Sequence, residues 1–270
     1  MPLWAAVLCL VTLVAAPAHA QSPAPPDTLF LEELTWTELR AGIQGGKTTI
    51  IVPIGGTEQN GPHMALGKHN ARVRALAARI AQALGNALVA PVIAYVPEGA
   101  LHPATGHMRF PGTITIPDDV FQRGLESAAQ SFRLHGFRDI VFLGDHGSTQ
   151  APQKAVAARL NREWHGGPAR AHAIEEYYRA ATSGLRELLK ARGYGPDELE
   201  GHAGLPDTSL TLALDPTLVR PGLLRAERRA GAESGVEGDP RRARADLGRL
   251  GVDLIVSRTI AAIKDSTTRR

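Results

Sequence analysis

Three short segments hold most of the residues in this chain that could do chemistry. Residues 55–70 read GGTEQNGPHMALGKHN and carry Glu58, His63 and His69 on a loop after an apolar run. Residues 144–150 read GDHGSTQ, with Asp145 and His146 at the equivalent place, and residues 201–209 read GHAGLPDTS, with His202 and Asp207. Together with His107, five histidines fall in Gly-flanked segments. Any one of them alone reads as a loop histidine hydrogen-bonded at the surface. Imidazoles and carboxylates gathered at strand ends are what a divalent ion such as Zn²⁺ or Mn²⁺ requires. Rival chemistries fit less well. GGTEQNG lacks the Gly-Lys-Ser/Thr end of a phosphate loop, and GDHGS has no Ser between its glycines, so it is not a nucleophile elbow. Ser148 and Ser209 stand near His146 and His202, but their spacing supports neither as a nucleophile.

The elements that must position these residues follow from periodicity. Residues 48–54 (TTIIVPI), 87–93, 139–144 (DIVFLG) and 169–174 are strand candidates. Residues 70–84 place Val73, Leu76, Ala77, Ile80 and Leu84 at helical spacing, and 118–135, 151–164 and 175–192 also read as helices. Residues 95–117 show no period and read as loop, and residues 239–263 are helix-rich. Strands alternating with helices imply right-handed crossovers and a mainly parallel sheet covered on both faces, an α/β fold in one domain over residues 31–265. Sites in such sheets lie beyond the carboxyl ends of the strands, which is where the first two polar segments fall.

The chain has 270 residues, 43% hydrophobic and 21% charged, with a formal net charge of +3. Its basic residues are scattered and only 5% of residues are aromatic, so a nucleic-acid surface is excluded. Residues 2–16 are apolar and end in a small-x-small triplet, Ala18-His19-Ala20. This reads as a secretory signal cleaved after Ala20, followed by a flexible lead-in over residues 21–30. The apolar run is short of the roughly 20 residues that span a bilayer. The single cysteine, Cys9, lies inside the signal, so the mature chain carries no disulfide, Cys ligand or Cys nucleophile. The expected location is secreted or periplasmic.

IVPIGGTEQNGPHMALGKHN resembles the signature of the creatininase family of metal-dependent amidohydrolases. In that family a strand ends in P-x-G-S/T-x-E-Q-H-G-P-H-L-P-L and an Asp follows. FPGTITI at residues 110–116, introduced by His107, resembles the family's H-x-x-F-P-G-T segment. FLGDHGS stands where the family has N-G-H, GHAGLPDTS where it has H-A-G-x-x-E-T-S, and GVEGDPRRA at residues 235–243 matches a G-V-x-G-D-P stretch. The similarity runs from about Leu31 to Ile263.

The resemblance implies a three-layer αβα sandwich, a homo-oligomer (a hexamer in creatininase), and hydrolysis of a linear or cyclic amide C–N bond in a small molecule. In creatininase two ions are held by Glu, His, a bridging Asp, a second His and a second Glu. Here the first Glu is Glu58 and the second His is His146, whereas Asn60, His69 and Ser148 stand at the other three positions. Asn and Ser are poor ligands for a transition metal. The remaining set is Glu58, His69 and His146, with one ion expected per chain. A second ion would have to use His63, Asp145 or Asp207. His202 keeps the family's proton-transfer histidine and Asp207 replaces a Glu that would orient it. Leu199, Glu200 and Gly201 stand where aromatics grip creatinine, so creatinine itself is not the expected substrate. The alternative reading is a non-catalytic small-molecule-binding protein on the same fold, with a degenerate metal site.

Overall fold

A computed structural model describes residues 27–226 and 233–269. The signal predicted over residues 1–20, and residues 21–26 of the lead-in, lie outside the described residues. Residues 29 and 30 of that lead-in belong to the fold: the Leu29 carbonyl accepts the Val89 amide, and Phe30 bridges Val89.

In chain order the elements are α1 (Trp36–Gln44), β1 (Thr49–Ile54), α2 (Lys68–Leu84), β2 (Ala87–Val89), α3 (Asp118–Leu134), β3 (Asp139–Gly144), α4 (Gln150–Glu163) and β4 (Arg170–Ala173). Then follow α5 (Glu175–Arg179), a π-helical turn (Ala180–Gly184), α6 (Leu185–Lys190), α7 (Pro196–Leu199), α8 (Leu205–Leu214), α9 (Pro221–Ala226) and α10 (Ala245–Thr268). The four strands form one parallel sheet in the order β2-β1-β3-β4. Side chains alternate across it with the strand period of two. Ile51, Val141 and Leu143 pack with α2, α8 and α10 on one face. Ile50, Val52, Ile140 and Phe142 pack with α3 and α4 on the other. This is the expected three-layer αβα sandwich.

The differences from the sequence reading have local causes. β2 ends at Val89 rather than 93, because Pro91 has no N–H to give a ladder, and pairing resumes only as a single bridge between Ile93 and Ile54. α1 is set by a capping box, Thr35 with Glu38, that periodicity alone does not reveal. The GHAGLPDTS segment is not all loop: Asp207 lies in the first turn of α8. That helix packs against α10 so closely that a Cβ on Gly248 would lie 1.8 Å from the Ser209 carbonyl oxygen. The helix read over residues 175–192 is interrupted by the π turn. No helix among the described residues is long and apolar enough to cross a membrane.

Candidate metal centre and active site

The carboxyl ends of β1 and β3 deliver the site. Beyond Ile54 the chain folds back over the start of α2, where the Asn70 side chain accepts the Gly56 amide at 3.0 Å. Asn60 donates to the carbonyls of Glu58 (2.9 Å) and Ala65 (3.0 Å), so it shapes the loop that carries Glu58. The loop between β2 and α3 closes over it. Thr113 Oγ1 accepts the Gln59 amide at 3.1 Å, and Thr115 Oγ1 accepts the Glu98 amide at 3.0 Å.

Glu58 is fully buried and ringed by four imidazoles. Its Oε1 lies 2.7 Å from His69 Nε2 and 3.5 Å from His202 Nδ1. Its Oε2 lies 3.0 Å from His146 Nε2 and 3.1 Å from His107 Nε2. Donor atoms of Glu58, His107 and His146 all fall within 4.8 Å of one another. The fold thus brings Glu58, His69, His146 and His202 together, and the group whose donor atoms are mutually close has His107 where the sequence reading has His69. Burial opposes ionisation of Glu58. Hydrogen bonds from His146 and His69, helped by the Lys68 charge, overcome it and hold the carboxyl well below the usual range.

Behind His69 stands a chain of polar groups. His69 Nδ1 lies 2.6 Å from Asp145 Oδ2, which also accepts Arg72 Nε at 2.8 Å, and Tyr177 Oη donates to Asp145 Oδ1 at 2.6 Å. Ser148, where the family has a ligand, lies with its Oγ 2.7 Å from His146 Nδ1 and so fixes that ring. His107 Nδ1 accepts from Gln59 Nε2 at 2.9 Å. The Gln59 amide is fixed in that sense, because the same nitrogen also donates to the Gly235 carbonyl and its oxygen accepts the Gly61 amide.

The sequence reading has Asp207 orient His202. In the structure the Asp207 carboxylate is bonded instead to the Lys68 ammonium, to Arg72 Nη1 at 2.5 Å and to the Ala203 amide at 3.0 Å. It stays ionised against its own burial, because Lys68 and Arg72 hold it well below the ordinary carboxylate range. His202 is oriented by the backbone: its Nε2 donates to the Gln59 carbonyl at 2.7 Å, and its own amide donates to Glu237 Oε2 at 3.2 Å. The G-V-x-G-D-P segment therefore serves to pin His202. His63 is remote in function, with its Nε2 3.0 Å from Thr208 Oγ1. The carboxylates of Asp145 and Asp207 are both engaged by cations, and His63 faces Thr208.

Four important residues escape the sequence reading. Lys68 and Arg72 lie one turn apart on α2 beside His69, a pattern hidden when the helix is started at residue 70. Glu98 is the lone acidic residue between 95 and 117, which is the signal that could have found it. Its carboxyl is pushed up to about 9 by burial and by the neighbouring Glu58 charge. Tyr178 supplies an aromatic wall. A cavity of about 300 Å³ opens beside the imidazole cluster, lined among others by Lys68, His107, His146, Tyr178, Arg186 and His202.

Burial and the Lys68 charge lower the His202 pKa to about 3. In the unfolded chain the same imidazole takes a proton near pH 6.5. The unfolded state therefore binds more protons between these values, and stability is lost as pH falls from about 6.5 towards 3. Thermal melts of ion-free protein should show this slope, and His202→Gln should flatten it. An unchanged slope in that variant would mean that His202 is not the group responsible.

A family model described as creatinine amidohydrolase matches residues 32–263. The chain belongs to the creatininase family. It is 26% identical over 201 residues to the creatinine amidohydrolase of Pseudomonas putida, covering 71% of this chain and 74% of that one. It is 30% identical over 251 residues to the mycofactocin precursor peptide peptidase of Mycobacterium tuberculosis, covering 82% and 84% respectively. A crystal structure of creatininase superposes with a TM-score of 0.74 at 23% identity, covering 91% of this chain and all of the other. As a creatininase-family member the chain is an enzyme, a hydrolase of amide bonds.

Proposed function

We propose that this enzyme cleaves an amide C–N bond of a small molecule, linear or cyclic, using one divalent ion, Zn²⁺ or Mn²⁺, held by Glu58, His69 and His146. The observation that carries the reading is the line Tyr177–Asp145–His69–Glu58. Asp145 Oδ2 stands 2.6 Å behind His69 Nδ1 while Nε2 faces Glu58, the carboxylate-backed arrangement found at ligating histidines, and Arg72 Nη2 lies 3.1 Å from the same Nδ1. His107, whose donor atom lies with those of Glu58 and His146 within 4.8 Å, is the rival third ligand, and its Nδ1 accepts from Gln59 Nε2 just as His146 Nδ1 accepts from the Ser148 amide. A bound ion would supply Lewis-acid polarisation of the scissile carbonyl and acidify the attacking water.

The residues around it do the rest. His202, kept neutral and tethered through Nε2, presents Nδ1 to the site and holds the proton on its way from water to the leaving nitrogen. Negative charge developing on the reacting carbonyl raises its affinity for that proton. Lys68 and Arg72 support a single ion. A second divalent charge about 4 Å from the Lys68 ammonium would meet a repulsion on the order of 8 kcal/mol at an effective dielectric near 20. The two fixed cations already balance Asp145 and Asp207.

We also propose that the chain is exported, with Gln21 as its mature start, and that it assembles as a homo-oligomer. One preparation from the native host tests the whole reading. Elemental analysis should give one ion per chain, intact mass should place the start at Gln21, and light scattering should exceed the monomer mass. A panel of linear amides, cyclic amides and short peptides should yield a freed amine from at least one small amide. An ion-free chain inert on every member would favour the non-catalytic binding reading instead.

A further inference from the structure

We propose that Glu98 is an additional ligand of the ion, contributed by the loop between β2 and α3, so that the donor set is Glu58, Glu98, His69 and His146. This rests on the metal reading above. The Glu98 side chain has no solvent exposure, and neither carboxyl oxygen makes a well-aligned hydrogen bond among the described residues, although Oε2 lies 3.2 Å from His146 Nε2. Burial leaves this carboxyl neutral in the ion-free chain, and even a neutral carboxyl is costly to bury with its oxygens poorly partnered.

Its position says what compensates it. Glu98 Oε2 lies 3.2 Å from His146 Nε2, the same nitrogen that lies 3.0 Å from Glu58 Oε2. Ligands held about 2.0–2.2 Å from a tetrahedral Zn²⁺ are spaced roughly 3.3–3.6 Å from one another, a little wider than these separations. The backbone is built to bring the carboxyl there. The Glu98 amide is held by Thr115 Oγ1, and Val96 bridges Thr115. On the other side Gly56 adopts φ +154°, and a Cβ there would stand 2.9 Å from Glu98 Oε1. Glycine two residues beyond β1 takes this φ without strain and leaves the carboxyl in its present place. Two carboxylates also suit the charge of a divalent ion better than Glu58 alone.

The test is ion affinity, read without turnover. Wild type, Glu98→Gln and Glu58→Gln are stripped with a chelator and titrated with Zn²⁺ against a chromophoric competitor, and their Co²⁺ forms are compared by visible absorption. Loss of an outer-shell partner of a metal ligand costs roughly 10–100-fold in affinity. Glu98→Gln should exceed about 100-fold and change the Co²⁺ spectrum. Thermal melts of the ion-free forms should show Glu98→Gln at least as stable as wild type, since it removes a poorly partnered buried carboxyl. If that variant fails to fold, Glu98→Asp takes its place and should weaken binding through its shorter reach. Affinity within 100-fold of wild type with an unchanged Co²⁺ spectrum overturns the role of Glu98 and leaves the metal site standing. A wild type that binds no Zn²⁺ overturns both.

Discussion

Glu58→Gln is expected to empty the metal centre and reduce kcat/KM by more than about 10⁴-fold, beyond what a single acid–base group supplies. Glu58 is where all four imidazoles converge, and its two oxygens face different pairs: His69 and His202 on one side, His146 and His107 on the other. A neutral amide keeps the shape but presents an NH₂ to one of those sides. It therefore removes negative charge and a ligand in one change. The two flanking imidazoles are separable by the same measurement. His69→Ala should lose the ion, because Asp145 backs that ring as a carboxylate backs a ligating histidine. His107→Ala should keep the ion and lower kcat, because that imidazole lines the cavity. Elemental analysis beside steady-state kinetics decides the matter, and retention of the ion by His69→Ala would move the third ligand to His107.

Lys68→Met should cost about 3–5 kcal/mol of stability, the range for breaking a buried ion pair from one side. Lys68 is only 1% exposed, its ammonium is bonded to Asp207, and it lies 3.9 Å from Glu58 Oε1. Methionine fills much of the same volume, so the loss is mainly electrostatic. Arg72 remains on Asp207 and places the effect towards the lower end. Pairing the change with Asp207→Asn should recover most of it, since the stranded charge is then gone too. Urea denaturation of both variants gives the comparison. A loss below about 1 kcal/mol in the single variant would mean that solvent reaches Asp207 freely and that Lys68 is not its essential counter-charge.

The layers and the site's outline were legible in the sequence for physical reasons. The β-branched runs at 49–54 and 139–144 leave few alternatives to buried strands, and polar Gly-rich turns at their ends mark the site. Glu58, His69, His146 and His202 are recovered because each sits beside such a turn. Residues that act from within regular structure or from an aperiodic loop were not legible. Lys68 falls outside a helix started at residue 70, so its pairing with Arg72 beside His69 emerges only when α2 starts at Lys68. Glu98 becomes meaningful only when Thr115 folds its loop against Gly56. The family resemblance gives Asp207 to His202. The fold gives it to α2 instead and lets a backbone carbonyl, which no side-chain pattern can encode, hold the histidine.

The π turn at Ala180–Gly184 gives one wall of the cavity a place where chain length can change without disturbing the core. It widens one turn of an otherwise continuous α5–α6 rod by one residue, and π turns recur where helices meet functional clefts. Deleting one residue within it would restore ordinary winding and leave the turns downstream in their present phase. Deleting one residue from an α turn instead would rotate everything downstream by about 100°, one residue's share of a 3.6-residue turn. Arg186 would then swing off the cavity, and Leu185, now fully buried, would leave the core with it. Relatives that lack one residue at the π turn should therefore keep both the packing of Leu185 and the ion-binding residues.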